Sequence, residues 1–174
     1  MNYANLKKYD VADGPGVRVS LFVSGCRRHC RFCQNEETWD FAYGRPYTSG
    51  TEKEIMEALA PKYIAGLTLL GGEPFENENA GILAGLVRRV REEFPQKPIW
   101  AYSGFTFEAL SGGSRQQQEL LAGVDVLVDG AYIEEQKDIT LIFRGSSNQR
   151  ILDVRKSLDL GRAVLLDKYR ERGH

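Results

Sequence analysis

The chain has 174 residues, of which 42% are hydrophobic and 27% are charged, and its formal net charge is −1 at pH 7. This composition is typical of a globular protein, and the length predicts a single domain over residues 1–174. The near-neutral charge argues against a nucleic-acid or membrane-surface partner, and no apolar run approaches the roughly 20 residues of a membrane span.

The first half of the chain predicts one strand, one loop with three cysteines and one helix. A turn at Asp13–Gly16 precedes a strand at Val17–Val23, which is rich in β-branched and aromatic residues. The cysteine loop follows this strand, and the segment 35–47 is irregular and rich in aromatic residues. The sequence Thr51-Glu-Lys-Glu54 resembles a capping box and predicts the start of a helix.

The second half predicts alternating strands and helices. Gly71 and Gly72 end a short buried strand at 67–70. Further strands are predicted at 97–102, 124–128 and 139–143, helices at 80–94 and 107–121 (the latter with a break at 111–114), and a late helix or strand at 151–158 before a charged tail. This alternation indicates an α/β fold with parallel strands and crossover helices. Because the units are too few for a closed eight-stranded barrel, we expect an open partial (β/α) barrel.

The three cysteines Cys26, Cys30 and Cys33, spaced C-x3-C-x2-C, predict a metal centre. A disulfide framework is disfavoured because the count is odd and no apolar leader core precedes the chain, which also predicts a cytoplasmic protein. A zinc site with His29 as fourth ligand is possible, but no second pair of ligands follows and His174 stands alone at the terminus. An iron–sulfur cluster held by three thiolates, with one iron open, fits the spacing better.

Two motifs resemble the radical S-adenosylmethionine (SAM) superfamily. They are the cysteine motif, with Phe32 before its last thiol, and the segment Leu67–Pro74, which ends in Gly-Gly-Glu-Pro. The resemblance narrows to the activating enzymes of anaerobic (class III) ribonucleoside-triphosphate reductase because of further motifs at 13–18, 35, 38–40 and 143–150. It extends from about residue 2 to 158, with the motifs in the expected order.

The resemblance implies a radical SAM enzyme that activates its partner by forming a glycyl radical. Cys26, Cys30 and Cys33 would be the catalytic ligands of a [4Fe-4S] cluster whose fourth iron binds the amino and carboxylate groups of SAM. Reductive cleavage of SAM would give a 5′-deoxyadenosyl radical, which removes a Cα hydrogen from a glycine of the anaerobic ribonucleoside-triphosphate reductase. An electron donor such as flavodoxin or ferredoxin is implied as a second partner.

The resemblance also implies which residues bind SAM. The segment Gly71, Gly72, Glu73 and Pro74 would approach the methionine end of SAM, with Glu73 accepting from the ammonium group or orienting the loop. As an alternative, this segment is a strand-terminating turn with an acidic residue at a helix N-terminus. The remaining contacts are expected from Phe32 and Gln34, whose backbone would meet the adenine, and from Ser103 and Gly104.

Two groups of polar residues have an open role. Arg27, Arg28 and Arg31 surround the thiols and would ease reduction of an anionic cluster, meet an acidic surface of the reductase, or simply lie exposed. The polar run Arg144–Arg150 follows a predicted strand, and we expect it to close over SAM or to guide the glycine-bearing loop, unless it is only a surface turn. In parallel α/β folds such groups collect beyond the carboxyl ends of the strands.

Two other functions stay open at the level of the sequence. The chain is either an activating enzyme of a different glycyl radical enzyme or, in another class altogether, a non-enzymatic zinc-binding module. Relatives with an additional ferredoxin-like cluster domain are disfavoured because the chain has no second group of cysteines.

Overall fold

The computed structural model describes residues 1–169, and the end of the predicted charged tail, including His174, lies outside these residues. Seven strands within the described residues form one sheet in the order β3-β1-β2-β4-β5-β6-β7. The four central strands β2, β4, β5 and β6 are parallel, whereas β1, β3 and β7 run antiparallel to their neighbours. The strands are β1 (Asn2–Asp10), β2 (Val17–Val23), β3 (Arg45–Pro46), β4 (Ile64–Gly71), β5 (Ile99–Ser103), β6 (Val126–Asp129) and β7 (Arg150–Asp153).

Helices connect the parallel strands, as the alternating pattern predicts. They are α1 (Ser49–Leu59), α2 (Asn77–Glu93), α3 (Phe107–Ser111), α4 (Arg115–Gly123) and, after β7, α5 (Val154–Leu160). The α/β class is therefore confirmed, as is the break between α3 and α4. The capping box was predicted to begin at Thr51, which is one turn too late. In the structure Thr48 caps α1, and the side chains of Thr48 and Thr51 each accept a hydrogen bond from the other residue's backbone N–H. No helix within residues 1–169 has both the length and the apolarity that crossing a bilayer demands.

The hydrophobic core lies between the sheet and the helices. The β4 strand is buried at six of its eight positions, as expected for a parallel strand covered on both faces. On α2 the apolar residues recur at helical spacing and face this core, as predicted. The buried set of α2 includes Leu83, Leu86, Val87 and Val90.

Two predictions about strands were wrong. The segment 139–143 is not a strand: Leu141 N donates to the Asp138 carbonyl over 3.3 Å, and Ile139 is 90% exposed. The last strand is instead β7, which pairs antiparallel with β6. The unpredicted strand β1 is mostly polar and only partly buried, and it forms because its backbone pairs with the apolar β2.

The parallel strands place their following loops at one edge of the sheet. Val23 at the end of β2 pairs with Gly71 at the end of β4, and Ser103 at the end of β5 pairs with Asp129 at the end of β6. The cysteine loop, the glycine-rich loop and the Ser103-Gly104 turn therefore lie together, as expected at the carboxyl ends of parallel strands.

Candidate metal centre and adjoining cavity

Backbone hydrogen bonds fix the root of the cysteine loop. Gly25 N donates to the Thr38 carbonyl over 2.7 Å, and Cys26 N donates to the Trp39 carbonyl over 3.2 Å. Glu73 N of the glycine-rich loop donates to the Gly25 carbonyl over 2.9 Å. The loop that leaves β2 is thus tied both to its own returning segment and to the loop that follows β4.

The three cysteines line one cavity of about 100 Å³ at the strand ends. All three thiols are free and half-buried. Burial raises the pKa of the Cys26 thiol, so binding of a metal there requires release of a proton. Cys33 Sγ accepts a hydrogen bond from Asn35 N over 3.4 Å. The cavity is also lined by Arg28, Trp39, Gly71, Gly72, Glu73, Gly104, Gly130 and Tyr132.

The described residues form no ready site for a single metal ion. No three His, Cys, Asp or Glu side chains among residues 1–169 are placed to hold one ion. Ligands of one zinc ion must all lie roughly 2.0 to 2.3 Å from it, whereas thiolates on a cluster bind separate irons. His29, the possible fourth zinc ligand, is exposed, and its ring stacks on Trp39 with centroids 4.3 Å apart.

Close packing of backbone explains both glycines of the glycine-rich loop. Gly71 has a φ of +106°, and a Cβ there would lie 2.6 Å from Val23 N. A Cβ on Gly72 would lie 2.7 Å from the Gly25 carbonyl oxygen. Because neither glycine has a side chain, β4 can end against β2, and the glycine-rich loop can contact the cysteine loop.

Glu73 joins the glycine-rich loop to the end of β5. It is 1% exposed, and its Oε1 accepts from Phe75 N over 3.0 Å and from Ser103 Oγ over 2.8 Å. Its Oε2 accepts from Gly104 N over 2.7 Å. Burial raises the pKa of Glu73 to about 7, although these hydrogen bonds favour the carboxylate. The carboxylate orients the loop, while contact with SAM stays a prediction.

A larger cavity of about 410 Å³ adjoins the thiol cavity, sharing Gly71, Gly72 and Gly104 with it. This volume lies within the range of small-molecule sites. Gln34 and Ser103 line it as well, together with Asp13, Asn35, Tyr102, Leu141 and Phe143 and with Arg144, Gly145 and Gln149 of the polar segment.

Two predicted SAM contacts lie outside both cavities. Phe32 is 56% exposed and has the Arg31 guanidinium 4.8 Å from its ring centre, so its side chain is not part of the core. Pro74, at the end of the glycine-rich loop, is buried. Neither lines the thiol cavity or the larger one.

The three arginines near the thiols differ in their partners. Arg27 pairs with Glu76 over 2.7 Å and also with Glu78. Arg28 forms no ion pair with a carboxylate of residues 1–169; its guanidinium lies 4.3 Å from the ring centre of Phe105 and it lines the thiol cavity. Arg31 pairs with Glu135 over 3.5 Å. Of the three arginines, Arg28 is the one that lines the thiol cavity.

The polar segment after β6 folds over the larger cavity. Gln149 Oε1 accepts from Gly145 N over 2.8 Å, and Asn148 Nδ2 donates to the Ala131 carbonyl over 2.7 Å. Arg144 Nη1 donates to the Gln149 carbonyl over 3.1 Å, but its buried Nε has no partner within the described chain. Arg144, which lines this cavity, therefore carries a donor that no described residue uses.

Sequence reasoning missed two residues that assemble the site. Asn79 Nδ2 donates to the Ser24 carbonyl over 3.0 Å and to the Glu73 carbonyl over 3.1 Å, which ties the two loops together. The sequence pattern that could have revealed Asn79 is its polar side chain on the otherwise apolar face of α2. Tyr132 lines the thiol cavity, and nothing in its sequence context separates it from other loop tyrosines.

Comparisons with known proteins agree with this metal centre. Residues 12–152 match the family model of the 4Fe-4S single cluster domain. An anaerobic ribonucleoside-triphosphate reductase-activating protein of Vibrio cholerae is 44% identical over 153 residues, covering 87% of this chain and 97% of the relative. Proteins of the same name from Pasteurella multocida and Enterobacteria phage T4 are 39% and 41% identical, each over 87% of this chain and over 96% and 93% of the relative. The chain therefore belongs to the family of anaerobic ribonucleoside-triphosphate reductase-activating proteins, with a 4Fe-4S single cluster domain.

Proposed function

We propose that the protein is a radical SAM activating enzyme that forms a glycyl radical on an anaerobic ribonucleoside-triphosphate reductase. The observation that carries this proposal is the cavity lined by three thiols, which shares three lining glycines with a larger cavity. When bound, a [4Fe-4S] cluster would supply the single electron that cleaves SAM into methionine and a 5′-deoxyadenosyl radical. The protein would position the reactants and exclude water.

Cys26, Cys30 and Cys33 would hold the cluster. Backbone hydrogen bonds hold the root of their loop, and Asn35 N donates to Cys33 Sγ. The Arg28 guanidinium beside the cavity would offset part of the negative charge of a reduced cluster.

SAM would occupy the larger cavity. The buried Arg144 Nε, which lacks a partner within the described residues, suits a carboxylate or another acceptor of the ligand. Glu73 would act by holding Ser103 and Gly104 in place, since both of its oxygens already accept from the protein. Gln34 and Asp13 supply further polar groups at the wall.

Several wider features belong to the same proposal. The parallel strands and crossover helices suit an open partial (β/α) barrel that forms a single domain over residues 1–174. The reductase named in the relatives would be the partner that carries the glycine, and flavodoxin or ferredoxin would supply the electron in the cytoplasm. Activation of another glycyl radical enzyme is the alternative partner choice, and the names of the relatives favour the reductase.

Anaerobic reconstitution with iron and sulfide tests the proposal. We expect the protein to bind iron and sulfide and, with SAM and a reductant, to produce 5′-deoxyadenosine. With the reductase added, we expect an electron paramagnetic resonance (EPR) doublet from its glycine. Cys30→Ser is the matched control and should lose all three signals. A parent protein that binds zinc in place of a cluster, or that leaves SAM intact, would refute the proposal.

A further inference from the structure

The indole N–H of Trp39 is a buried donor without an acceptor. Trp39 lines the thiol cavity, and its Nε1 has no hydrogen-bond partner among residues 1–169. Buried indole N–H groups normally find an acceptor, so an unused one at a cavity points to an absent ligand atom. None of the three cysteine sulfurs accepts this hydrogen.

The indole is held firmly in its position. Trp39 ends a short 3₁₀ turn, Glu36–Trp39, and its carbonyl accepts from Cys26 N over 3.2 Å. The ring of His29 stacks on the indole at 4.3 Å, with an angle of 11° between the planes. Both the backbone and the ring of Trp39 are therefore fixed by the same loop that carries the thiols.

We propose that Trp39 Nε1–H donates a hydrogen bond to a sulfur atom of the cluster held by Cys26, Cys30 and Cys33, and so raises the reduction potential of that cluster. This inference rests on the cluster assigned under the proposed function. A donor to sulfur stabilises the reduced cluster more than the oxidised one, because the reduced cluster is more negative. Trp39 would thus be a tuning residue that makes the first electron transfer easier.

Two tryptophan variants test this inference. Trp39→Phe keeps an aromatic ring that can stack on His29 but lacks the N–H. Trp100→Phe is the matched control, since Trp100 packs against Phe143 and Tyr169 and lines neither of the two cavities. These are the two tryptophans of the chain, so Trp100→Phe also leaves Trp39 as the sole indole.

The measurements are made on the reconstituted, reduced protein. Iron and sulfide are counted first, and the midpoint potential is then determined by anaerobic titration followed by EPR. Electron–nuclear double resonance in H₂O and D₂O detects an exchangeable proton coupled to the cluster. Labelling with ¹⁵N-indole in the Trp100→Phe protein assigns a nitrogen coupling to Trp39 without removing it.

We expect the parent and Trp100→Phe proteins to show the exchangeable proton and the ¹⁵N coupling. Trp39→Phe should lose one exchangeable proton coupling, while that of the Asn35 amide, which donates to Cys33 Sγ, stays. It should also shift to a lower midpoint potential at equal iron content. Absence of the ¹⁵N coupling in a fully loaded Trp100→Phe protein overturns the inference, even if Trp39→Phe fails to bind iron. A protein that lacks the coupling yet cleaves SAM refutes only this inference, whereas one that binds no cluster refutes the proposed function as well.

Discussion

Arg18 is the largest fully buried side chain of the described residues, and it ties β2 to β4 and to the residue before β5. Its guanidinium donates to Thr68 Oγ1 over 2.8 Å, to the Leu67 carbonyl over 2.9 Å and to the Pro98 carbonyl over 2.7 Å. Burial lowers the pKa of Arg18 to about 10, which leaves it charged at neutral pH. A buried charge that is satisfied by neutral acceptors is costly to disturb.

Arg18→Met should destabilise the protein by about 3 kcal/mol, because the variant leaves buried carbonyl groups without a donor. Urea unfolding of the metal-free protein under reducing conditions measures the change. Arg88→Met is the control: Arg88 is exposed, and its replacement should alter stability by no more than about 0.5 kcal/mol. Equal effects of the two substitutions would contradict a structural role for the buried guanidinium.

Asp13 makes stability depend on pH. Burial and the neighbouring Asp10 carboxyl raise the pKa of Asp13 to about 7, above its ordinary value of 3.8. A carboxyl group with a raised pKa contributes stability that is fully present below about 3.8 and is lost as pH rises through 7. The parent protein should therefore lose stability across this interval.

Asp13→Asn should raise the melting temperature relative to the parent at pH 8 and give a smaller gain at pH 5. Melting curves of the metal-free protein between pH 5 and pH 8 measure this difference. Asp159→Asn, at an exposed position, should give the same offset at every pH. The curve of Asp13→Asn will not be flat, because the raised pKa of Glu73 acts in the same direction. A constant offset for Asp13→Asn would argue against the raised pKa.

At the scale of elements, the contact between the glycine-rich loop and the cysteine loop depends on Gly72. A Cβ at this position would lie 2.7 Å from the Gly25 carbonyl oxygen and 2.9 Å from that of Thr38. Both of these atoms are backbone, so neither can move aside cheaply.

Gly72→Ala should therefore separate the two loops and reduce the iron and sulfide bound per chain. Reconstitution followed by iron and sulfide analysis provides the measurement. Gly85→Ala is the matched control, since a Cβ at this position of α2 meets no atom within 4 Å and alanine favours a helix by roughly 1 kcal/mol. Normal cluster loading in Gly72→Ala would show that the loops tolerate the extra methyl group.

The sequence predicted those elements whose signal is local. The apolar run of β4 indicates a buried strand, and the periodic apolar residues of α2 indicate a helix. The cysteine motif is likewise contained within eight residues. Strand β1 escaped prediction because its partner β2, and not its own polar sequence, makes it a strand. The roles of Asn79 and Trp39 likewise depend on contacts between distant segments, which no local pattern encodes.

At the scale of the whole molecule, the site is assembled from loops that follow five different strands. The larger cavity is lined both by the polar segment after β6 and by the glycine-rich loop after β4. A ligand in this cavity would therefore stabilise the fold as a unit. A ligand at 100 times its dissociation constant adds roughly 2.7 kcal/mol to the free energy of unfolding.

Arg144→Ala should weaken the stabilisation by SAM, because it removes the buried Nε donor at the cavity wall. Melting curves of the anaerobically reconstituted protein with increasing SAM provide the measurement. Arg155→Ala, at an exposed position on α5, should leave the SAM-dependent shift unchanged. If Arg144→Ala kept the full shift, SAM would not depend on this side chain.

The ion pairs of Arg27 bear on how fast a partner can find this protein. Glu76 and Glu78 already neutralise the Arg27 guanidinium, so little of its field extends into solvent. Diffusional encounter with an acidic surface would then gain little from long-range attraction. We expect the association rate with the reductase to change only shallowly with ionic strength in stopped-flow measurements, and a steep decline would reveal steering from elsewhere on the surface.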